Sequence, residues 1–313
     1  MNEEKFTEVT QRVLKELQVN NPELLGKGGE GFVFTYRDDK VIKIYDHADE
    51  KYLNSLKKLQ VIISTKNLPF DTPLIIEIGK VDETYYTIEK RLYGVLMEHK
   101  FPTLPKKEQY KLLKSYYDAI KALNSIEFPN LPYGNIVEVP HPITDDTWTG
   151  FLVKTLHYKI QVAGERVVKD ITNFDKKVEL LTEVIKKELL IDKKSLVHAD
   201  YFVNQVLVNE KNEISAVLDI SAHAIVGDRR LDVAGVFFFE GMKHYTKEHI
   251  KYLLGLSVQE YGEKILKYND IYRIYYCFYF SEVHTFMPDW YQTILKNIND
   301  EAIWNRITSY LNS

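Results

Sequence analysis

The chain reads as an α+β protein with two lobes: a small antiparallel-sheet lobe with one inserted helix, then a larger, mainly helical lobe. Three observations predict this. Between about 22 and 92, short alternating runs such as "GFVFTYR", "KVIKIYD" and "ETYYTIEKRL" are broken once, near 48–65, by a helical pattern. Beyond Gly94 the long segments keep helical periodicity instead. At 313 residues the chain is too long for one simple core and short for three.

The elements follow in order. Residues 5–18 place Phe6, Val9, Val13, Leu14 and Leu17 at helical spacing, an amphipathic helix suited to capping a sheet. Strands are expected in "ELLGKG", "GFVFTYR", "KVIKIYD", "TPLIIEIGK" and "ETYYTIEKRL". "EKRLYG" is the expected hinge, giving lobes at 1–92 and 93–313. Helices are then expected over 105–127, 146–161, 175–190 and most of 231–312, with two short strands near 205–209 and 214–219. No fixed-period repeat or low-complexity tract is present.

Hydrophobic residues make up 45% and charged residues 27%, the balance of an ordinary globular protein. A net charge of −4 provides no basic field for nucleic acid and mildly suits a cationic substrate. Cys277, the only cysteine, lies in the apolar run "IYRIYYCFYF", so an internal disulfide framework and a Cys-rich zinc site are excluded and a buried, inert thiol is expected. The N-terminus has no apolar signal core and no run is long enough to span a bilayer, so no membrane association and a cytoplasmic location are expected.

The chemistry concentrates in four places. "GKGGEGFVF" holds Gly26, Gly28 and Gly31 between two expected strands; a dinucleotide loop would open a helix, so this is a glycine-rich hairpin whose bare backbone amides can approach phosphate oxygens. Lys43, in "VIKIY", sits among Val41, Ile42 and Ile44, where an ammonium calls for a negative partner such as phosphate. Asp200 lies in the turn before "QVLV", and Asp219 ends the next strand, "SAVLD". A hairpin there brings both carboxylates to one end of a small sheet, with oxygen ligands that suit Mg²⁺ and a base for an attacking hydroxyl.

Taken in order, glycine loop, strand lysine, His-x-Asp loop and strand-end Asp resemble the protein-kinase-like fold. "LVHADYFVNQVLV" and "AVLDISAHAIVGDRRLDVAGVFFF" are similar to the catalytic loop and the metal-Asp run of the aminoglycoside phosphotransferase family. "HAD", "LPYG", "DDTW" and "DEAIWNRI" are most similar to its hygromycin-type members. The resemblance spans nearly the whole chain. It implies a bilobal kinase-like enzyme that transfers the γ-phosphate of ATP or GTP, with Mg²⁺, to a hydroxyl of a small cationic acceptor, an aminoglycoside antibiotic, and so confers resistance. It further implies Asp200 as base, Asp219 as principal Mg²⁺ ligand, Lys43 as clamp on the α and β phosphates, and backbone groups of Lys90 to Leu92 as the adenine contact. His198, Asp228 and Asp232 take structural roles on the same reading.

Two departures from that pattern are visible. Gln205 stands where the family has a metal-binding Asn, with Asn204 just before it; the Gln amide oxygen reaches one methylene farther and is expected to serve as ligand, unless Asn204 swings in. The helix that should supply an acid to Lys43 has none in "YLNSLKKLQVIISTK", leaving Glu50 at its start. For the acceptor, Asp145, Asp146, Glu240, Glu282 and Asp289 offer carboxylates, with Glu282 and Asp289 preferred, while Trp148, Tyr276, Phe280 and Trp290 offer ring faces. Three alternatives stay open: a kinase of another small hydroxylated metabolite, a nucleotide-binding pseudokinase with a regulatory or scaffold role, and a metal-dependent hydrolase built on His198, Asp200, Asp219 and His223.

Overall fold

The structure, a computed structural model, describes residues 3–191, 193–236 and 245–312. Helix α1 (Glu3–Glu16) leads into strands β1 (Leu24–Lys27), β2 (Gly31–Tyr36) and β3 (Lys40–Tyr45), then helix α2 (Glu50–Ser64), β4 (Ile75–Val81) and β5 (Thr84–Lys90). These strands form one antiparallel sheet in the order β1-β2-β3-β5-β4. Strand alternation divides its residues between two faces. Ile42 and Ile44 of β3, with Ile88 of β5, bury against Val9, Val13 and Leu14 of α1. The opposite face of β3 turns Tyr45 toward Tyr52, Leu53 and Leu56 of α2, in the larger core. Each of those aliphatic side chains contributes about 1.5–3 kcal/mol by leaving water.

The second half is mainly helical, as expected. After β6 (Val95–Leu96) come α3 (Met97–Lys100), α4 (Lys106–Asn124), β7 (Tyr133–Asn135), β8 (Thr144–Asp145), α5 (Trp148–Ala163), α6 (Glu165–Asp170) and α7 (Phe174–Glu188). Strands β9 (Ser195–Val197), β10 (Val206–Val208), β11 (Ile214–Val217) and β12 (Ile225–Gly227) precede α8 (Lys247–Tyr261), α9 (Lys264–Tyr279), α10 (Pro288–Ile298) and α11 (Glu301–Leu311). The β10–β11 hairpin is the one read from the sequence, and β6 pairs with its outer side. A further sheet, β8-β7-β12-β9, carries no alternating signature because its strands are two or three residues long.

Helix α9 runs through the larger core with Ile271, Tyr272, Ile274, Tyr275, Tyr276, Cys277 and Phe278 all buried. Burial keeps the Cys277 thiol protonated by raising its pKa, in line with an inert thiol. Among the described residues no helix is long and apolar enough to cross a membrane.

The glycine hairpin separates two reasons for glycine. Gly31 has φ +156°, and a Cβ there would meet the Ile44 carbonyl oxygen at 2.0 Å. A Cβ on Gly28 would meet nothing within 4 Å, although Gly28 N–H bonds the Gly31 carbonyl at 3.0 Å. Gly31→Ala is therefore expected to cost about 1–3 kcal/mol of backbone strain before the clash is counted, and Gly28→Ala less than about 0.5 kcal/mol. Urea unfolding of the two variants checks this, and equal losses would contradict it.

Candidate active site

Strand β9 is buried and delivers the chain to His198, Ala199 and Asp200. The loop is held from behind by Asp232, whose carboxylate accepts the His198 N–H at 2.9 Å, the Ala199 N–H at 2.9 Å and the Asn124 side-chain amide at 2.8 Å. Ala199 has φ +61°, a left-handed conformation that costs a residue with a Cβ, and the Asp232 bond fixes it there. His198 Nε2–H donates to the Leu218 carbonyl at 2.9 Å while Nδ1 accepts the Asp200 N–H at 3.3 Å. Its ring thus ties the loop to the residue before Asp219. On the other side, Tyr201 stacks on Tyr116 with centroids 4.4 Å apart, and each hydroxyl bonds the other residue's carbonyl.

The β10–β11 hairpin places Gln205 beside Asp219, with Leu218 N–H bonded to the Gln205 carbonyl at 2.8 Å. The Gln205 side-chain amide donates to Asp200 Oδ2 at 3.3 Å. Burial and the charge of Asp219 push the Asp200 carboxyl up to about 7. Burial acts the same way on Asp219, yet the Lys43 ammonium, the Ser221 hydroxyl and the neighbouring His198 and His223 hold it below the usual carboxylate range. Asp219 is thus held ionised, while its neighbour Asp200 keeps its proton to higher pH than an ordinary carboxyl. Two carboxylates and an amide oxygen are donors of the kind Mg²⁺ accepts when phosphate and water complete its shell. Among the described residues no group of three or more His, Cys, Asp or Glu is arranged to hold a metal alone. Both His198 nitrogens are engaged, which removes one of the two imidazoles of the hydrolase alternative and leaves oxygen donors in the majority.

Lys43 reaches the same place from the five-stranded sheet. Although burial works to deprotonate it, Tyr45, Glu30, Asp219 and Glu89 hold the ammonium well above its ordinary range. The expected pairing with Glu50 is corrected: Lys43 Nζ meets Glu30 Oε2 at 2.5 Å, and Tyr52 OH donates to Glu30 Oε1 at 2.7 Å. Glu50 is the first residue of α2, exposed, and acts electrostatically on Lys80. The buried face of that helix begins at Tyr52. Glu30, Tyr52 and the buried Glu89, which accepts the Thr87 hydroxyl at 2.6 Å, were absent from the sequence reading. An acid between two glycines of the loop was the available signal for Glu30.

At the expected hinge, Lys90 N–H bonds Leu74 and Arg91 N–H bonds Asp39, so both amides are committed to the chain. The Lys90 ammonium pairs with Asp71 at 2.6 Å. Carbonyls and Leu92, beyond the strand end, are what this segment has to offer a base.

On the far side of Asp200 the surroundings are aromatic. Phe202 lies 5.7 Å from Trp290 and 6.0 Å from Phe280, between ring centroids, and Tyr276 stacks on Phe280 at 5.5 Å. His223 Nδ1 and the Tyr279 hydroxyl are 3.1 Å apart. Glu282 is bound to Lys159 at 2.7 Å, and Lys159 lies 4.7 Å over the Tyr279 ring. Glu282 is therefore neutralised rather than open to a cation, and Asp289 is exposed in the first turn of α10. Asp145 pairs with Lys154 and accepts the Thr147 N–H and hydroxyl, next to exposed Asp146; Trp148 is core, its Nε1 bonded to Tyr272 OH. Glu240 lies outside the described residues. Asp228 is locked to Arg230 and to Tyr272 OH at 2.5 Å, a structural role like that of Asp232.

No family model matches the chain, and no curated protein matches it. Solved structures do. The chain is similar to the gentamicin complex of APH(2″)-IIa at TM-score 0.61 and 16% identity, over 98% of this chain and 95% of that one. It is similar to the GDP and kanamycin complex of APH(2″)-IIIa at TM-score 0.64 and 13% identity, over 96% and 99%. A macrolide 2′-phosphotransferase from Brachybacterium faecium aligns at TM-score 0.57 and 12% identity, over 93% and 98%. The hygromycin-type likeness is not among these and stays an expectation. Along essentially its whole length, the chain has the kinase-like fold of the aminoglycoside and macrolide phosphotransferases.

Proposed function

We propose that the protein is a small-molecule O-phosphotransferase that moves the γ-phosphoryl group of ATP or GTP to an acceptor hydroxyl. The observation that carries the reading is the electrostatic link from Lys43 on the five-stranded sheet to Asp219 at the end of the β10–β11 hairpin, with Asp200 next to Asp219. A nucleotide would lie between a lobe of residues 1–92 and one of 93–313. The glycine hairpin and Lys43 hold its phosphates, the first through backbone N–H groups and the second through an ammonium kept charged.

Asp219 and Gln205 are the residues that would hold Mg²⁺, which supplies charge neutralisation on the phosphates; the Gln205 amide turns its oxygen inward to do so. In the transfer, the acceptor oxygen forms a bond to the γ-phosphorus, the bond from that phosphorus to the β–γ bridging oxygen breaks, and the nucleoside diphosphate leaves. Asp200 takes the hydroxyl proton. A cation held by Asp219 and Gln205 would relieve the like-charge crowding that raises Asp200 and leave its carboxylate able to accept the proton.

For the acceptor, complexes of similar structures with gentamicin and kanamycin support an aminoglycoside. A second reading, an acceptor with an apolar face as in a macrolide, is favoured by Trp290, the partly exposed member of the ring cluster with buried Phe202 and Phe280, and by the Lys159–Glu282 pair.

Transfer of label from γ-labelled nucleotide to a panel of aminoglycosides, macrolides and simpler hydroxylated amines tests the function. Asp200→Ala is expected to cut turnover by roughly 10²–10⁴-fold with nucleotide binding retained; binding without transfer to any acceptor would instead favour a regulatory nucleotide-binding role. The resting protein gives a second check. Asp200 titrates near 7 when folded against an ordinary 3.8, so the folded state binds this proton more tightly. Its stabilisation is complete below about 4 and is lost as pH rises toward and past 7. Asp200→Asn should therefore raise the Tm of nucleotide-free protein at pH 8, by roughly 2–4 °C per kcal/mol recovered, and change it least at pH 4. The opposite pH trend would refute the burial assigned to this carboxyl.

A further inference from the structure

A strand lysine that grips phosphate needs an anion behind it, both to stay charged in a partly desolvated cleft and to keep a flexible four-carbon stem in one rotamer. Helix α2 faces Lys43 and carries no acid that can do this. Its buried face is Tyr52, Leu53, Leu56, Leu59, Gln60 and Ile63, and its one acid before Ser64, Glu50, points elsewhere. The negative charge comes from the glycine hairpin. Glu30 Oε2 contacts Lys43 Nζ at 2.5 Å, with side chains 26% and 17% exposed, a pair partly withdrawn from water.

The backbone of Glu30 is anchored rather than free at a loop tip. Its carbonyl accepts the Asp46 N–H at 3.0 Å, and the next residue, Gly31, begins β2 and pairs with Tyr45. The Gly31 position admits no side chain, so the hairpin sits hard against β3 and brings Glu30 within reach of Lys43. Tyr52 then fixes the carboxylate by donating to Oε1 at 2.7 Å; burial and the charge of Glu30 keep that phenol protonated, hence a donor. Both Glu30 oxygens are engaged, one by a cation and one by a hydroxyl, which limits its repulsion of phosphates bound nearby. Glu89 also acts on Lys43, but its Oε1 is taken by Thr87 and Tyr45.

We propose that Glu30, oriented by Tyr52, is the positioning residue for Lys43, so that the lysine's partner acid is supplied by the phosphate-binding hairpin and α2 contributes only a neutral hydroxyl. The catalytic consequence rests on the phosphotransferase reading; the pairing itself does not. Because one hairpin presents both the backbone amides and the acid, a displacement of the hairpin also releases the lysine. A separate helix acid would not couple the two.

The test uses full-length protein, with Glu30→Gln, Tyr52→Phe and the double variant Glu30→Ala/Tyr52→Glu, which moves the carboxylate onto α2. The first readout needs no nucleotide: the acetylation rate of Lys43 by acetic anhydride, followed by peptide mass spectrometry. Glu30→Gln should raise it roughly tenfold, the change expected for one pKa unit, with Tyr52→Phe between it and wild type. The second readout is steady-state kinetics with ATP or GTP as phosphoryl donor. Glu30→Gln should lower kcat/KM for nucleotide roughly 10–100-fold, and the relocated carboxylate should recover most of the loss at an unchanged Tm. Wild-type Lys43 reactivity in Glu30→Gln overturns the proposal, as does failure of a folded double variant to recover either readout. If wild-type protein binds no nucleotide, the phosphotransferase reading fails, while Lys43 reactivity still decides the pair.

Discussion

The buried carboxylate of Asp232 is the constraint on which the site depends. An ionised carboxyl with no exposed surface is costly unless its oxygens are filled, and an unpaired one costs several kcal/mol. Burial leaves Asp232 raised on balance, with His198, the Asn124 amide and the backbone N–H groups of His198 and Ala199 pulling it only part of the way back. Those donors, apart from Asn124, are the beginning of the loop that carries Asp200. A local requirement, satisfying one buried acid, therefore sets the left-handed turn at Ala199, the orientation of the His198 ring and the direction in which Asp200 leaves the chain.

From that fixed loop the charges alternate across the cleft. Lys43 is held positive between Glu30 and Asp219; Asp219 is held negative by Lys43; Asp200, next in line, is buried beside like charges that the Gln205 amide offsets only in part, and gives up its proton reluctantly. The arrangement is short of positive charge around Asp200 and Asp219, while near the glycine loop Glu30 already supplies the negative charge that faces Lys43. A cation between the two carboxylates would relieve that shortage, as the proposed transfer requires.

Legibility followed the range of the interaction. Asp200 and Asp219 were readable because a short hairpin joins them, and α4, α5 and α7 because their apolar spacing runs for three turns or more. The sheet of β7, β8, β9 and β12 was not, since strands of two or three residues have no period to detect. The missing helix acid was noticed correctly but filled wrongly. Counting acids along "EKYLNSLKKLQ" says nothing about which residue faces β3, and Asp49 caps the helix so that Tyr52, rather than Glu50, turns inward. Glu30 escaped because the glycines around it read as a phosphate loop, and a loop residue's partner is a tertiary fact.

The acceptor side raises a sharper physical question than the nucleotide side. A polyamine sugar binds through carboxylates with unspent charge, yet Glu282 already faces Lys159, and Lys159 also covers Tyr279. For a cationic acceptor to use Glu282 it must displace an ammonium whose side chain is only 15% exposed, trading one ion pair for another with little net gain. The nearby rings pack mostly against one another: Phe202, two residues from Asp200, and Phe280 are buried, and Trp290 is the partly exposed member of the cluster. A ring laid against Trp290 would leave the Lys159–Glu282 pair intact. Among the described residues, the Glu282 carboxylate beside this cluster is already paired, so recognition by charge there must first break an ion pair, while contact with Trp290 need not.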